Sequence, residues 1–135
     1  MSALWITNSR NEILLAKRAL NKSHDPGQWG PAVAGTVDQG ETYDFNIIKE
    51  AREELGLSNL DFKIGPKERR SGRYNYFVQW YQCQLDKPVD EFVINKDEVA
   101  EIKWFAKDFL LKEIQAHPDK FLKSMQSKVE LFGEK

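Results

Sequence analysis

Cysteine is almost missing from this chain. Cys83 is the only one among 135 residues, so no disulfide can form within the chain, and a reducing compartment, the cytoplasm, is the expected location. Long apolar runs are missing too; none approaches the ~20 residues that a membrane-crossing helix needs. Residues 1–7 are too short and uncharged for a signal peptide, and no membrane partner is expected. There is no surplus of one charge: 20 Lys and Arg stand against 21 Asp and Glu, a net charge of −1. That argues against binding nucleic acid in bulk and leaves electrostatics to act locally. Histidine is scarce, and His24 has no partner visible in sequence. Internal repeats and low-complexity tracts are absent. What remains is 41% hydrophobic and 30% charged, the balance of one domain, residues 1–135, with one sizeable core.

The informative stretch is residues 35–57. Gly35 and Gly40 mark a loop, and the residues after it have helical periodicity. Glu50, Glu53 and Glu54 sit at i, i+3 and i+4, so one helix face carries all three. Like charges at that spacing repel, and acids late in a helix oppose its macrodipole. A local cost with no local gain points to a cation outside the sequence. Carboxylate oxygens suit a hard divalent ion, Mg2+ or Mn2+. Ile47, Ile48, Ala51 and Leu55 fall on another face, suited to packing on a sheet. Gly56 follows Leu55 where a helix-ending glycine belongs.

These residues resemble the Nudix box, G-x5-E-x7-R-E-U-x-E-E-x-G-U, with U aliphatic. Gly35, Glu41, Glu50, Glu53, Glu54 and Gly56 fill its fixed places, and Ala51 and Leu57 its apolar ones. Lys49 stands where the pattern has arginine. The resemblance implies an α/β Nudix fold, a mixed sheet sandwiched between helices. It implies metal-dependent hydrolysis of a small-molecule diphosphate, such as a nucleoside diphosphate linked to another group. Glu50, Glu53 and Glu54 are then metal ligands, with Glu50 also the candidate base. Glu50, Lys49 and Glu53 form the catalytic set. Lys49 keeps the arginine's charge but loses its planar fork, and Glu41 braces the loop against the helix. The carbonyl of Ala34, just before the first box glycine, joins the metal shell in the same resemblance. In the acidic segment before a Trp-Phe strand end, Glu98 is the first candidate to complete it and Glu101 the second.

In chain order, residues 3–7 and 12–18 read as a hairpin around a turn at 8–11. Arg18 matches the family place for a basic residue that meets substrate phosphate. Residues 21–31 read as a loop. In it Trp29 either covers a bound group or plugs the core edge, and Lys22 either touches phosphate or is solvated. Residues 32–37 read as a buried strand, 61–65 as a weak strand turning at Gly65-Pro66, and 67–73 as a basic loop. Residues 74–85 alternate two apolar faces, a central strand with Cys83 buried; Tyr74 and Tyr76 are substrate candidates at its start. Residues 107–115 read as a short helix and 119–132 as a closing helix. The run from Trp29 to Glu41 also resembles isopentenyl-diphosphate isomerases, which share the fold. Those carry cysteine and histidine on either side of the first box glycine, where this chain has Ala34 and Thr36. An isomerase, or a binding module that has lost turnover, is the alternative to a hydrolase. A monomer or a homodimer fits equally.

Overall fold

The computed structural model of the chain describes residues 1–22, 24–71 and 75–132. Tyr74 lies outside the described residues. Among them, seven strands build one mixed sheet. β1 (Ser2–Thr7) and β2 (Glu12–Arg18) form the expected hairpin, with Ile6 opposite Leu14 and Thr7 opposite Ile13. The Asn8 side-chain carbonyl closes the turn by accepting from the amides of Arg10 and Glu12 at 3.0 and 2.9 Å. Beyond that pair the two arms splay. β3 (Trp29–Pro31) pairs with β2, and β4 (Val33–Gly35) pairs with β1. Residues 29–35 therefore cross the gap as two three-residue strands. The single strand expected over 32–37 does not form, because one strand cannot pair with both splayed arms. Trp29, Gly30 and Pro31, read as loop, are strand.

β6 (Tyr76–Gln84) runs parallel to the free edge of β1, and β5 (Lys63–Arg70) pairs with β6 on the outside. The turn expected at Gly65-Pro66 is instead an irregularity between Ile64 and Lys67 within β5. Proline is tolerated at such a bulge on an edge strand, so Lys67 to Arg70 of the expected basic loop are strand. β7 (Val99–Ala106) lies along the outer edge of β2.

Alternation along the strands feeds two cores. Leu4, Ile6, Leu14, Tyr81 and Cys83 face one side, under α1 (Tyr43–Leu55). Ala3, Trp5, Ile13, Leu15, Val78 and Trp80 face the other, under α2 (Lys107–Ala116) and α3 (Met125–Phe132). The sheet is thus sandwiched between helices, as expected. α1 begins at Thr42, whose hydroxyl accepts from the Phe45 amide at 3.0 Å. It ends at Gly56, whose φ of +67° is a left-handed turn that glycine adopts freely. Ile47, Ala51 and Leu55 are fully buried, but Ile48 is 40% exposed and not part of the packing face.

The closing helix is shorter than its periodicity suggested. Pro118–Lys120 is a single 3-10 turn, and α3 starts only at Met125. Between them the backbone is drawn to β3: Phe121 bridges Trp29, and the Leu122 amide donates to the Trp29 carbonyl at 2.9 Å. α3 is tied to β5 by buried Lys128, which pairs with Glu68, and Glu68 also accepts from Trp80 Nε1 at 3.0 Å. Among the described residues no helix is long and apolar enough to cross a membrane.

Candidate active site

The site is assembled where α1 passes over the end of β4. Gly35 has no side chain for a steric reason. A Cβ there would lie 2.3 Å from Glu50 Cγ and 2.7 Å from its Cδ, so the glycine leaves Glu50 room to lie flat on the strand end. Asn46, one turn earlier and fully buried, pins the surroundings. It accepts from the Ser2 hydroxyl and donates to the Thr36 carbonyl at 2.9 Å and to Glu41 at 3.1 Å. Glu41 accepts from the Asp38 amide at 2.9 Å and takes the Lys49 ammonium at 2.6 Å. That ammonium holds the Glu41 carboxyl below its usual range, and Glu41 raises Lys49 in return. Lys49 also reaches Asp38 at 3.5 Å. Its partners Glu41 and Asp38 are thus both on the glycine loop.

The three box acids do not share one environment. Glu53 is exposed, Glu50 is half-buried, and Glu54 is 8% exposed. Burial pushes the Glu54 carboxyl up to about 9. Its hydrogen bond to Glu50 and the charges of Glu50 and Glu98 push in the same direction, and Lys22 opposes them. Burial thus favours the neutral form of Glu54. Glu98 arrives on the turn before β7. That turn is docked on the end of α1: the amides of Val93 and Asn95 donate to the carbonyls of Leu55 and Glu54 at 3.1 and 2.9 Å. The Glu98 side chain is ion-paired with Lys22.

A cleft of about 60 Å³ gathers these groups. Glu54, Glu98 and Ala34 line it beside Arg18, Lys22 and Lys17, with Gly30, Pro31 and Leu122 as its apolar wall. Arg18 sits where β2 shifts register against β7, and its Nε donates to the His24 carbonyl at 2.9 Å. Among the described residues no three acidic, histidine or cysteine side chains converge into a ready-made cation cage. Like charges converge only around a counter-ion. Here Lys22 supplies the counter-charge to Glu98, and burial favours the neutral form of Glu54. The donor set, carboxylates at a partly buried cleft, is nonetheless the chemistry that a hard divalent ion requires.

The structure thus brings together Arg18, Ala34, Glu54 and Glu98, with Glu50 beside them. Trp29 is not among the cleft residues. Its ring meets Phe105 edge-on at 5.3 Å and packs on the core under α2 and α3, so it plugs the core edge. Lys22 was undervalued in sequence because nothing local marks its partner, 76 residues away. Asn46 was not singled out at all. Its one signal is its place one turn before Glu50, on the helix face that carries Lys49, Glu50 and Glu53. Cys83 cannot stand in for a cysteine at Ala34. Ala34 pairs with Ala3 and Cys83 with Ile6, three residues or roughly 10 Å apart along β1. Burial also raises the Cys83 thiol to about 12.

A sequence model of the NUDIX domain matches residues 1–125. Isopentenyl-diphosphate Delta-isomerase of Citrobacter koseri is 29% identical over 121 residues, which cover 84% of this chain and 65% of the isomerase. The chain therefore spans just under two thirds of that relative's length. Among solved structures, a Deinococcus radiodurans protein superposes with a TM-score of 0.80 at 23% identity, covering 96% of this chain and 79% of its own. The C. elegans Ap4A hydrolase in a binary complex gives 0.71 at 23% identity, covering 98% and 94%. At such identities these structures speak for the fold.

Proposed function

The chain belongs to the NUDIX domain family, and from that premise we propose a divalent-metal-dependent hydrolase that cleaves the phosphoanhydride of an organic diphosphate. The observation that carries the reading is one small cleft lined by two carboxylates, Glu54 and Glu98, and three cations, Lys17, Arg18 and Lys22. Carboxylates suit the metal and cations suit the phosphates.

Glu54 and Glu98, in the cleft, would hold Mg2+ or Mn2+ together with neighbouring Glu50, Glu53 on the same turn and the Ala34 carbonyl. Such an ion would neutralise phosphate oxygens and lower the pKa of a water. Arg18 grips a phosphate through its fork. Glu50 accepts the proton of the attacking water as the bridging P–O bond breaks and the leaving phosphate carries off the electron pair. Lys49 acts on this centre at one remove: it holds Glu41 and the glycine loop on which Gly35 and Glu50 meet.

The name of the curated relatives favours isomerisation of an isopentenyl diphosphate instead. Proton transfer to carbon needs an acid–base pair. Ala34 and Thr36 supply neither group, and Cys83 is too distant and too basic. Substrate class and location follow the earlier expectation: a small diphosphate, in the cytoplasm. The test is a panel of diphosphate compounds with Mg2+, Mn2+ or chelator, read by released phosphate and by mass. Hydrolysis that requires metal and falls at least about a hundredfold in Glu54→Gln is expected. Proton exchange into isopentenyl diphosphate in deuterated water, without hydrolysis, overturns it.

A further inference from the structure

Lys22 sits in an unusual place for a lysine of a metal-and-phosphate cleft: it neutralises one of the acids. Its ammonium pairs with Glu98, and its charge also acts on Glu54. Both acids line the cleft with it. The backbone holds the two partners in reach. The Ala19 amide donates to the Glu98 carbonyl at 3.1 Å, and the Lys22 amide to the Ala19 carbonyl at 3.2 Å. The far side of the loop is clasped by Arg18, whose carbonyl accepts from the Gly27 amide at 3.0 Å and whose Nε donates to His24. The backbone is thus held at Ala19, Lys22 and Gly27, while the Lys22 side chain has four rotatable carbons of reach. Its side chain is 29% exposed and that of Glu98 is 43% exposed. A pair so close to solvent contributes little stability, so it exchanges readily.

We propose that Lys22 is a built-in competitor of the divalent ion, holding Glu98 until the ion takes that carboxylate and frees the ammonium to turn to a diphosphate. The inference rests on the hydrolase reading and adds an order of events to it. An acidic pair without a cation would repel; with Lys22 in place the resting cleft is neutralised at Glu98. A divalent ion at Glu98 brings two charges where Lys22 brings one. The displaced ammonium remains at the cleft, and phosphate is the anion then available to it.

The consequence runs against intuition for a residue of the binding cleft. Removing Lys22 strengthens metal binding in the absence of diphosphate, because Glu98 is free and a positive charge is gone. The probe is Mn2+, titrated by electron paramagnetic resonance and by calorimetry into the whole chain. Lys22→Met is expected to bind Mn2+ about threefold more tightly or better, the scale set by losing one partly exposed ion pair. Exposed Lys112→Met is the control and stays at the wild-type value. With Mn2+ saturating, Lys22→Met binds methylenebisphosphonate at least about fivefold more weakly, since one phosphate partner is missing. Equal or weaker Mn2+ binding by Lys22→Met overturns the proposal, as does Mn2+ binding by neither protein. Turnover on the diphosphate panel is measured separately. Mn2+-loaded wild type that hydrolyses nothing sinks the hydrolase reading and leaves the affinity comparison standing; intact hydrolysis with unchanged affinity sinks the exchange alone.

Discussion

Gly35→Ala separates the fold from the chemistry by one methyl group. The backbone of Gly35 is ordinary strand, paired to Ser2, so alanine meets no conformational objection there. The conflict is with Glu50, whose Cγ lies 2.3 Å from where the new Cβ must go. Ordinary contact starts at 3.4 Å, so Glu50 has to move by about 1 Å. Asn46 Oδ1, at 3.1 Å from the same point, has to yield by a few tenths of an ångström. Glu50 is half-buried at a cleft and can swing away, and the cost to stability is expected at the low end of overpacking, about 1 kcal/mol. The cost to catalysis is larger, because a displacement of about 1 Å in a reacting group can lose roughly a hundredfold. Thermal melting and turnover on the panel's best substrate are measured together. The expected outcome is a small drop in Tm with a loss of turnover of about tenfold to a hundredfold. Turnover within twofold of wild type refutes the reasoning, because the resting position of Glu50 would then be irrelevant to the reaction. A collapse in stability refutes it from the other side, making Gly35 a residue of the fold.

Two further outcomes follow from neighbouring charges. Glu54 binds its proton more tightly folded than unfolded, so without metal the wild type loses stability as pH rises from 4.5 toward about 9. The slope is at most about 1.4 kcal/mol per pH unit. The difference in Tm between wild type and Glu54→Gln, taken in chelator at pH 5.5 and pH 8, shifts against the wild type at the higher pH; saturating Mg2+ reverses that shift, and a pH-independent difference contradicts the burial argument. Lys49→Ala leaves Glu41 without its cation, so the Asp38 amide that Glu41 holds exchanges hydrogen faster, and turnover falls several-fold. Lys49→Arg preserves both, and unchanged Asp38 protection in Lys49→Ala shows that the brace is idle.

Much of the architecture was local enough to read from the chain. Period-two alternation set the two faces of β6, and Gly56 and the buried series Ile47, Ala51 and Leu55 set the end and packing of α1. These features rest on short-range sterics and on the burial of side chains at fixed spacing. Periodicity misled at Ile48, which is exposed, and over a longer stretch at residues 119–124. Their apolar residues have helical spacing, yet the backbone there is taken by β3, a partner some ninety residues earlier that no window of sequence contains. The split of residues 29–35 into two strands has the same cause, since it depends on how far the hairpin arms diverge.

The acids of the site were likewise plain in sequence, because their spacing on one helix is a covalent fact. Their states were not. Spacing puts Glu50, Glu53 and Glu54 on one side of α1 as equals, and only the docking of residues 93–99 on the helix end buries Glu54 and leaves Glu53 in solvent. Only the return of the chain before β7 gives Glu98 to Lys22, and only the glycine loop gives Lys49 to Glu41. Sequence determined which charges this protein owns and which helix carries them. Tertiary structure decided which charge faces which, because electrostatic partners are chosen by distance and burial through space, and neither quantity is written in the order of residues along a chain.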